Sequence, residues 1–245
     1  MSRFDEADDP RRRVLIKALA AGAFSAALTD RAALAASIFG TPPSKLPAGQ
    51  SIYRINGTAK VNGQEANLST IIKPNDTVET GPKSEIVFVV GGTSMLMREN
   101  SHLTLEGKEE GLASYLIQGF RMLTGKLLTV SRSNGTQIRT STATIGIRGT
   151  GYYIESDPEQ TYFCTCYGLT DVEANDDPTS RDTVASKHHD KPLYILAGQQ
   201  PGQNIRRASF INHTDQELML IETLVGRTPP WVFAGDQYTA PRRDY

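Results

Sequence analysis

The chain has 245 residues, 22% of them charged, and a net formal charge of -1, so it lacks the basic field that holds nucleic acid. Two cysteines are too few for a disulfide-built miniprotein, and the fold must rest on ordinary burial. An apolar share of 38% is modest, yet over this length it supplies a real core, in one large domain or two small ones.

Residues 1–35 read as an export signal. Arg11-Arg12-Arg13 precede an Ala-rich, weakly apolar run, followed by Asp30, Arg31 and the small-x-small site Ala33-Leu34-Ala35. The paired arginines ahead of Val14-Leu15 make the signal twin-arginine-like. The run from Val14 to Leu28 is shorter than the roughly 20 residues that span a bilayer. The expectation is a mature chain from Ala36, periplasmic or exported, with no transmembrane span after signal removal. Residues 36–56 read as a linker, Pro-rich at "TPPSKLPAG" (41–49).

From Gly57 to about Ala174 short extended pieces alternate with turn residues. Asn62-Gly63 in "AKVNGQEA" is a two-residue hairpin signal. The five apolar residues Ile86–Val90 predict a strand covered on both faces, and "SHLTLEG" alternates through Leu103 and Leu105, with His102 at a strand start and no role assigned to it. "GKLLTV", "TQIRTSTATIGIRGTGYYIE" and "QTYFCTCYGLTDVEA" continue the β-rich, Thr-rich pattern. Strand signals at the roughly 8–12-residue spacing of sandwiches and barrels predict an all-β fold class.

Residues 175–245 read as a C-terminal extension with further strands and one short amphipathic helix at about 215–225. Thr214 and Glu217 form a capping box, Leu218, Ile221 and Leu224 or Val225 share one face, and Gly226 with Pro229-Pro230 ends the helix. A helix this short is marginal alone and is expected to pack on the sheet.

Two blocks carry a resemblance. "NDTVETGPKSEIVFVVGGTSMLMRENSHLTL" (75–105) and "FRMLTGKLLTV…TQIRTSTATIGIRGTGYYIE" (120–155) resemble the FecR-type periplasmic domain, in a region of about residues 57–174. The second block is similar to the family pattern of Gly-x-Leu followed by Thr, Ala and Arg-Gly-Thr, with Tyr153 where Phe is common. The resemblance implies a compact β-roll or β-helix-like module of short strands that serves in signalling or binding outside the inner membrane. The best-known members relay signals from outer-membrane receptors to sigma factors and carry a cytoplasmic segment and a membrane span ahead of the domain. Neither is read here, so direct sigma-factor control is not expected. In "IGIRGTGYY", Gly146, Gly149 and Gly151 read as bulges or close backbone approaches, and Arg148 as a structural hydrogen-bond hub.

"TYFCTCYG" holds both cysteines, Cys164 and Cys166. On a strand they share one face, with Cα atoms about 6.6 Å apart, more than the roughly 5.5–6 Å that a disulfide prefers. A hairpin centred near Asp176-Asp177 places Cys164 opposite His189 and Cys166 opposite Lys187. His188 and His189 then point to opposite faces, so only one joins a strand-borne site, and His213 ahead of the helix offers another imidazole. Three readings stay open: small residues buried in a β core beside Tyr162, Phe163 and Tyr167; a metal site for zinc or copper; and a strained disulfide.

No nucleophile motif, metalloprotease motif, phosphate loop or haem-attachment motif is present. Acidic pairs such as Asp176-Asp177 read as solvated turn charge, and in region 190–245 only Trp231 and His213 point toward a hydrolase. The expected function is therefore a non-enzymatic, exported binding or signalling protein whose partner is an envelope protein or a cell-surface ligand. The alternative is a periplasmic metal-binding or redox protein using Cys164, Cys166 and a histidine.

Overall fold

A computed structural model describes residues 43–111 and 114–230 of the protein. The export signal with its cleavage point, residues 36–42 of the linker, and Trp231 lie outside the described residues. The strands are β1 (Ile52–Asn56), β2 (Ala59–Val61), β3 (Gln64–Glu65), β4 (Thr77–Thr80), β5 (Glu85–Val90), β6 (Thr93–Met97) and β7 (His102–Glu109). They continue as β8 (Tyr115–Arg139), β9 (Ala143–Ser156), β10 (Gln160–Ala174), β11 (Asp177–Ser186), β12 (Leu193–Leu196) and β13 (Ile205–Arg207), before the helix α1 (Asp215–Leu224). Among the described residues the fold is all-β with one short helix. No helix among the described residues is long and apolar enough to cross a membrane.

The architecture follows from one bent hairpin. β6 pairs with Leu127–Val130 of β8, and β7 pairs with Tyr115–Thr124 of the same strand. From Gly125 onward β8 pairs with β9 instead. β5 and β1 extend the sheet beside β6, while β4, β2 and β3 extend it beside β7. The sheet thus rolls over at the corner between Ser101 and Gly125. Its inner surface buries Val61, Val78, Leu103 and Phe120 from one limb with Ile86, Phe88, Met97 and Ile154 from the other in a single core.

Among the described residues every paired strand is antiparallel, so the predicted roll is a folded antiparallel sheet and not a β-helix of parallel coils. Nor are all the strands short: β8 has 25 residues and β10 has 15. The glycines of 146–151 do not end β9. Its register slips against both neighbours between Arg148 and Tyr152, and a bulge absorbs an extra residue without breaking the ladder. Arg148 is no hub: its side chain is exposed and forms one ion pair, with Asp171.

Other local signals are present as read. Asn62 and Gly63, at φ 52° and 77°, turn β2 into β3, the conformation a two-residue hairpin requires. Ile86, Phe88 and Val90 point into the inner core and Val87 packs on the opposite face, so β5 is covered on both sides. Residues 52–56, at the end of the stretch read as linker, form β1 on the edge of β5. β11 to β13 of the extension join the same sheet.

Asp177 is more than solvated turn charge. Its carboxylate accepts from the Thr179 and Ser180 hydroxyls and from the Gly202 N–H at 2.6 Å, tying the β10–β11 turn to the loop before β13. The Thr179 hydroxyl, then the Gly202 N–H, hold this carboxyl far below the usual carboxylate range. A depressed folded pKa stabilises above the unfolded value of about 3.9 and loses that effect as pH falls through the folded value. Asp177→Asn is therefore expected to lower the Tm at pH 7, and scans in increasingly acid buffer should show the two proteins beginning to converge only below about pH 4.

Candidate metal centre

The outer face of the rolled sheet carries a second apolar cluster: Val87, Leu96, Leu128, Val130, Tyr153, Tyr162, Cys164, Cys166 and Tyr167. Leu218, Ile221 and Leu224 of α1 cover it. Alternation along β10 sends Phe163 into the inner core and Tyr162, Cys164 and Cys166 outward, as a strand requires. The β9–β10 register slips between Thr165 and Tyr167, leaving Cys166 without an opposite residue on β9. Both cysteines are free thiols and fully buried.

His189 reaches Cys164, but not across a hairpin ladder. β10 and β11 pair with Gly168 opposite Ser186 and Glu173 opposite Arg181, one residue away from the predicted register, and the ladder stops at Ser186. The Asp190 carboxylate then gathers the N–H groups of Lys187 and His188 at 2.6 and 3.3 Å, which bends residues 187–190 into a turn. His189 adopts φ 55°, a left-handed conformation in which histidine is enriched. Its N–H donates to the Cys166 carbonyl at 2.9 Å, and its Nδ1 lies 3.5 Å from Cys164 Sγ.

Because 187–190 is a turn, His188 and His189 do not point apart. Both meet the carboxylate of Asp215: His188 Nε2 is 2.8 Å from Oδ2 and His189 Nε2 is 3.0 Å from Oδ1. Of the two, only His189 joins the sulfurs. His188 is half-buried and stays on the far side of Asp215.

His213 completes the cluster. It precedes the cap residue Thr214, whose capping box with Glu217 fixes the start of α1. Arg98 clamps this junction by donating to the Asn212 carbonyl and to Glu217. His213 Nε2 lies 3.4 Å from Cys166 Sγ and 3.1 Å from His189 Nδ1. Its Nδ1 donates to the Ile211 carbonyl at 2.7 Å. The His213 ring stacks on Tyr153 and meets Phe210, and Phe210 also packs edge-on against His189.

These surroundings set the electrostatics. Burial pushes the Cys164 thiol up, but hydrogen bonding with Cys166, His189 and His213 outweighs it and holds the pKa well below the ordinary value. Burial pushes Cys166 up, and its neighbour Cys164 adds to this. Burial alone would lower His189, yet Asp215 and Cys164 raise it to about 9. The ligand atoms of Cys164, Cys166, His189 and His213 all lie within 4.8 Å of one another, a sulfur–nitrogen set of the kind that suits a borderline-soft cation.

Asp215 was invisible to sequence reasoning as a site residue. An acidic residue just after a cap reads as support for the helix dipole, whereas here it is buried and orients two histidines.

Residues 76–168 match the FecR protein family. That stretch resembles a FecR-type domain. The chain is also similar to two crystal structures of a candidate anti-sigma factor from Parabacteroides distasonis ATCC 8503, with TM-scores of 0.42 and 0.41 and identities of 13% and 12%. Each comparison covers 69% of this chain and 85% of that one. No curated protein matches the chain. The FecR match ends at Gly168, so Cys164 and Cys166 belong to it while His189, His213 and Asp215 come from the C-terminal extension.

Proposed function

We propose that the chain is an exported, non-enzymatic binding protein that uses its FecR-type domain in signalling at the bacterial envelope. The match over residues 76–168, from β4 to β10, carries this reading. The partner is an envelope protein or a cell-surface ligand. It would meet the exposed β surface of this domain.

A catalytic reading has to be weighed, because Cys164, His189 and Asp215 stand in the order of nucleophile, base and orienting carboxylate. Burial argues against it. Cys164 and Asp215 are at most 1% exposed and the His189 side chain only 2%, so no substrate carbonyl reaches the sulfur. Iodoacetamide is expected to leave both thiols of the native protein unmodified and to label both in denaturant. Rapid labelling of native Cys164 would favour catalysis. Cell fractionation tests the location: the reading expects the chain in the periplasmic or extracellular fraction, cross-linked to an envelope component. A chain confined to the cytosol would overturn it.

A further inference from the structure

We propose that Cys164, Cys166, His189 and His213 bind one zinc ion in a closed tetrahedral site that fastens the C-terminal extension to the FecR-type domain. Zinc holds thiolate sulfur at about 2.3 Å and imidazole nitrogen at about 2.0–2.1 Å, so a tetrahedron has S–N edges of roughly 3.6 Å and N–N edges of roughly 3.4 Å. The corresponding separations here are 3.5 and 3.4 Å for the S–N pairs and 3.1 Å for the N–N pair. These are three of the six edges of such a tetrahedron, and all four ligand atoms, from three separate segments, lie within 4.8 Å of one another.

The outer nitrogens point to the same conclusion. A carbonyl oxygen only accepts, so His213 Nδ1 carries the proton bonded to Ile211 and a neutral ring aims its Nε2 lone pair inward. His189 Nε2 faces the Asp215 carboxylate, so once Nδ1 gives up its proton its lone pair points inward in the same way. Two imidazole lone pairs facing each other at 3.1 Å repel unless a proton or a cation lies between them. The carboxylate–histidine and carbonyl–histidine pairs are the outer-shell partners that metal-ligating histidines use. A dication also neutralises two buried thiolates, and buried charge is tolerated only when paired. A catalytic triad would leave Cys166 and His213 without a task, whereas the tetrahedron uses all four residues. The ligands leave no open position and are buried, the mark of a structural site and not a catalytic one.

This inference does not rest on the envelope reading, because metal content is measured on the purified chain wherever it resides. The full-length protein, purified without a histidine tag, is expected to hold about one zinc per chain. Cobalt exchanged for zinc should show the visible bands of a tetrahedral centre and thiolate-to-cobalt charge transfer in the near ultraviolet. Cys164→Ser and His213→Ala should each bring zinc below about a tenth per chain. Asp215→Asn keeps all four ligands but should weaken zinc about 10–100-fold. Cys166→His also keeps four ligands and should retain zinc with weaker cobalt charge transfer, a readout that stands even where a serine variant fails to fold. Four results would overturn the proposal: no zinc uptake by the wild type on titration, a Cys164–Cys166 disulfide in the purified protein, copper at the site in place of zinc, or unchanged zinc in Cys164→Ser.

Discussion

Gly125→Ala is expected to be among the most damaging single-methyl additions in the protein. Gly125 has φ 107°, and a Cβ there would lie 2.3 Å from the Cα of Ser101 and 2.1 Å from its Oγ. Ser101 cannot retreat. Its N–H donates to the Thr80 hydroxyl, its carbonyl accepts from Thr80, and its own hydroxyl accepts from the Lys126 N–H at 2.9 Å. This is the corner where β8 exchanges β7 for β9, so the clash falls on the hinge of the whole roll. Backbone strain and overpacking together should cost about 2–6 kcal/mol, a large part of the roughly 5–15 kcal/mol that holds a domain folded. Gly63→Ala is the comparison: its φ of 77° is also positive, but nothing lies within 4 Å of the added carbon, so about 1–2 kcal/mol is expected. Urea unfolding reads both, and equal midpoints for the two variants would show that the corner is not the constraint described.

The second large effect concerns the seal on the outer face. Ile221 of α1 is fully buried among Leu218, Leu224 and the β-sheet residues Val87, Leu96 and Leu128. Ile221→Asp forces an unpaired carboxylate into that contact and should cost about 3–5 kcal/mol. The helix should leave the sheet, and limited proteolysis should cut within 208–227 while the parent resists. Because α1 begins at the Asp215 that orients both histidines, thiol labelling of Cys164 and Cys166 should accelerate in the same variant. Met219 lies on the exposed side of the helix, so Met219→Asp should change stability by less than about 0.5 kcal/mol. Similar behaviour of the two variants would mean that α1 does not pack as described.

Much of this was legible from local chemistry. The Asn62-Gly63 turn, the doubly covered β5 and the capping box of α1 each depend on a few neighbouring residues, and each is present. The shared face of Cys164 and Cys166 follows from strand periodicity alone. What failed was register and long-range geometry. The β10–β11 ladder is irregular between Glu173 and Ala174, where β11 takes up three extra residues, so the remaining pairs lie one position from the expected register, and composition does not encode this. The pairing of Cys164 with His189 was anticipated, but for the wrong reason. A turn held by Asp190, not a ladder, delivers the ring. The same turn brings His188 and His189 onto one carboxylate, where strand alternation had set them apart. β8 and β9 run longer than the short strands expected, and the bulges read at the glycines of 146–151 are where the β9 register slips without ending the strand. Asp215 was missed because its role depends on where α1 docks, which the sequence around it does not encode.

Zinc K-edge X-ray absorption on the purified full-length chain addresses the central claim most directly, since it measures the inner shell itself. Two sulfur neighbours at about 2.3 Å and two imidazole nitrogens at about 2.0–2.1 Å are expected. A shell of oxygen neighbours, or one lacking the two sulfurs, would contradict it.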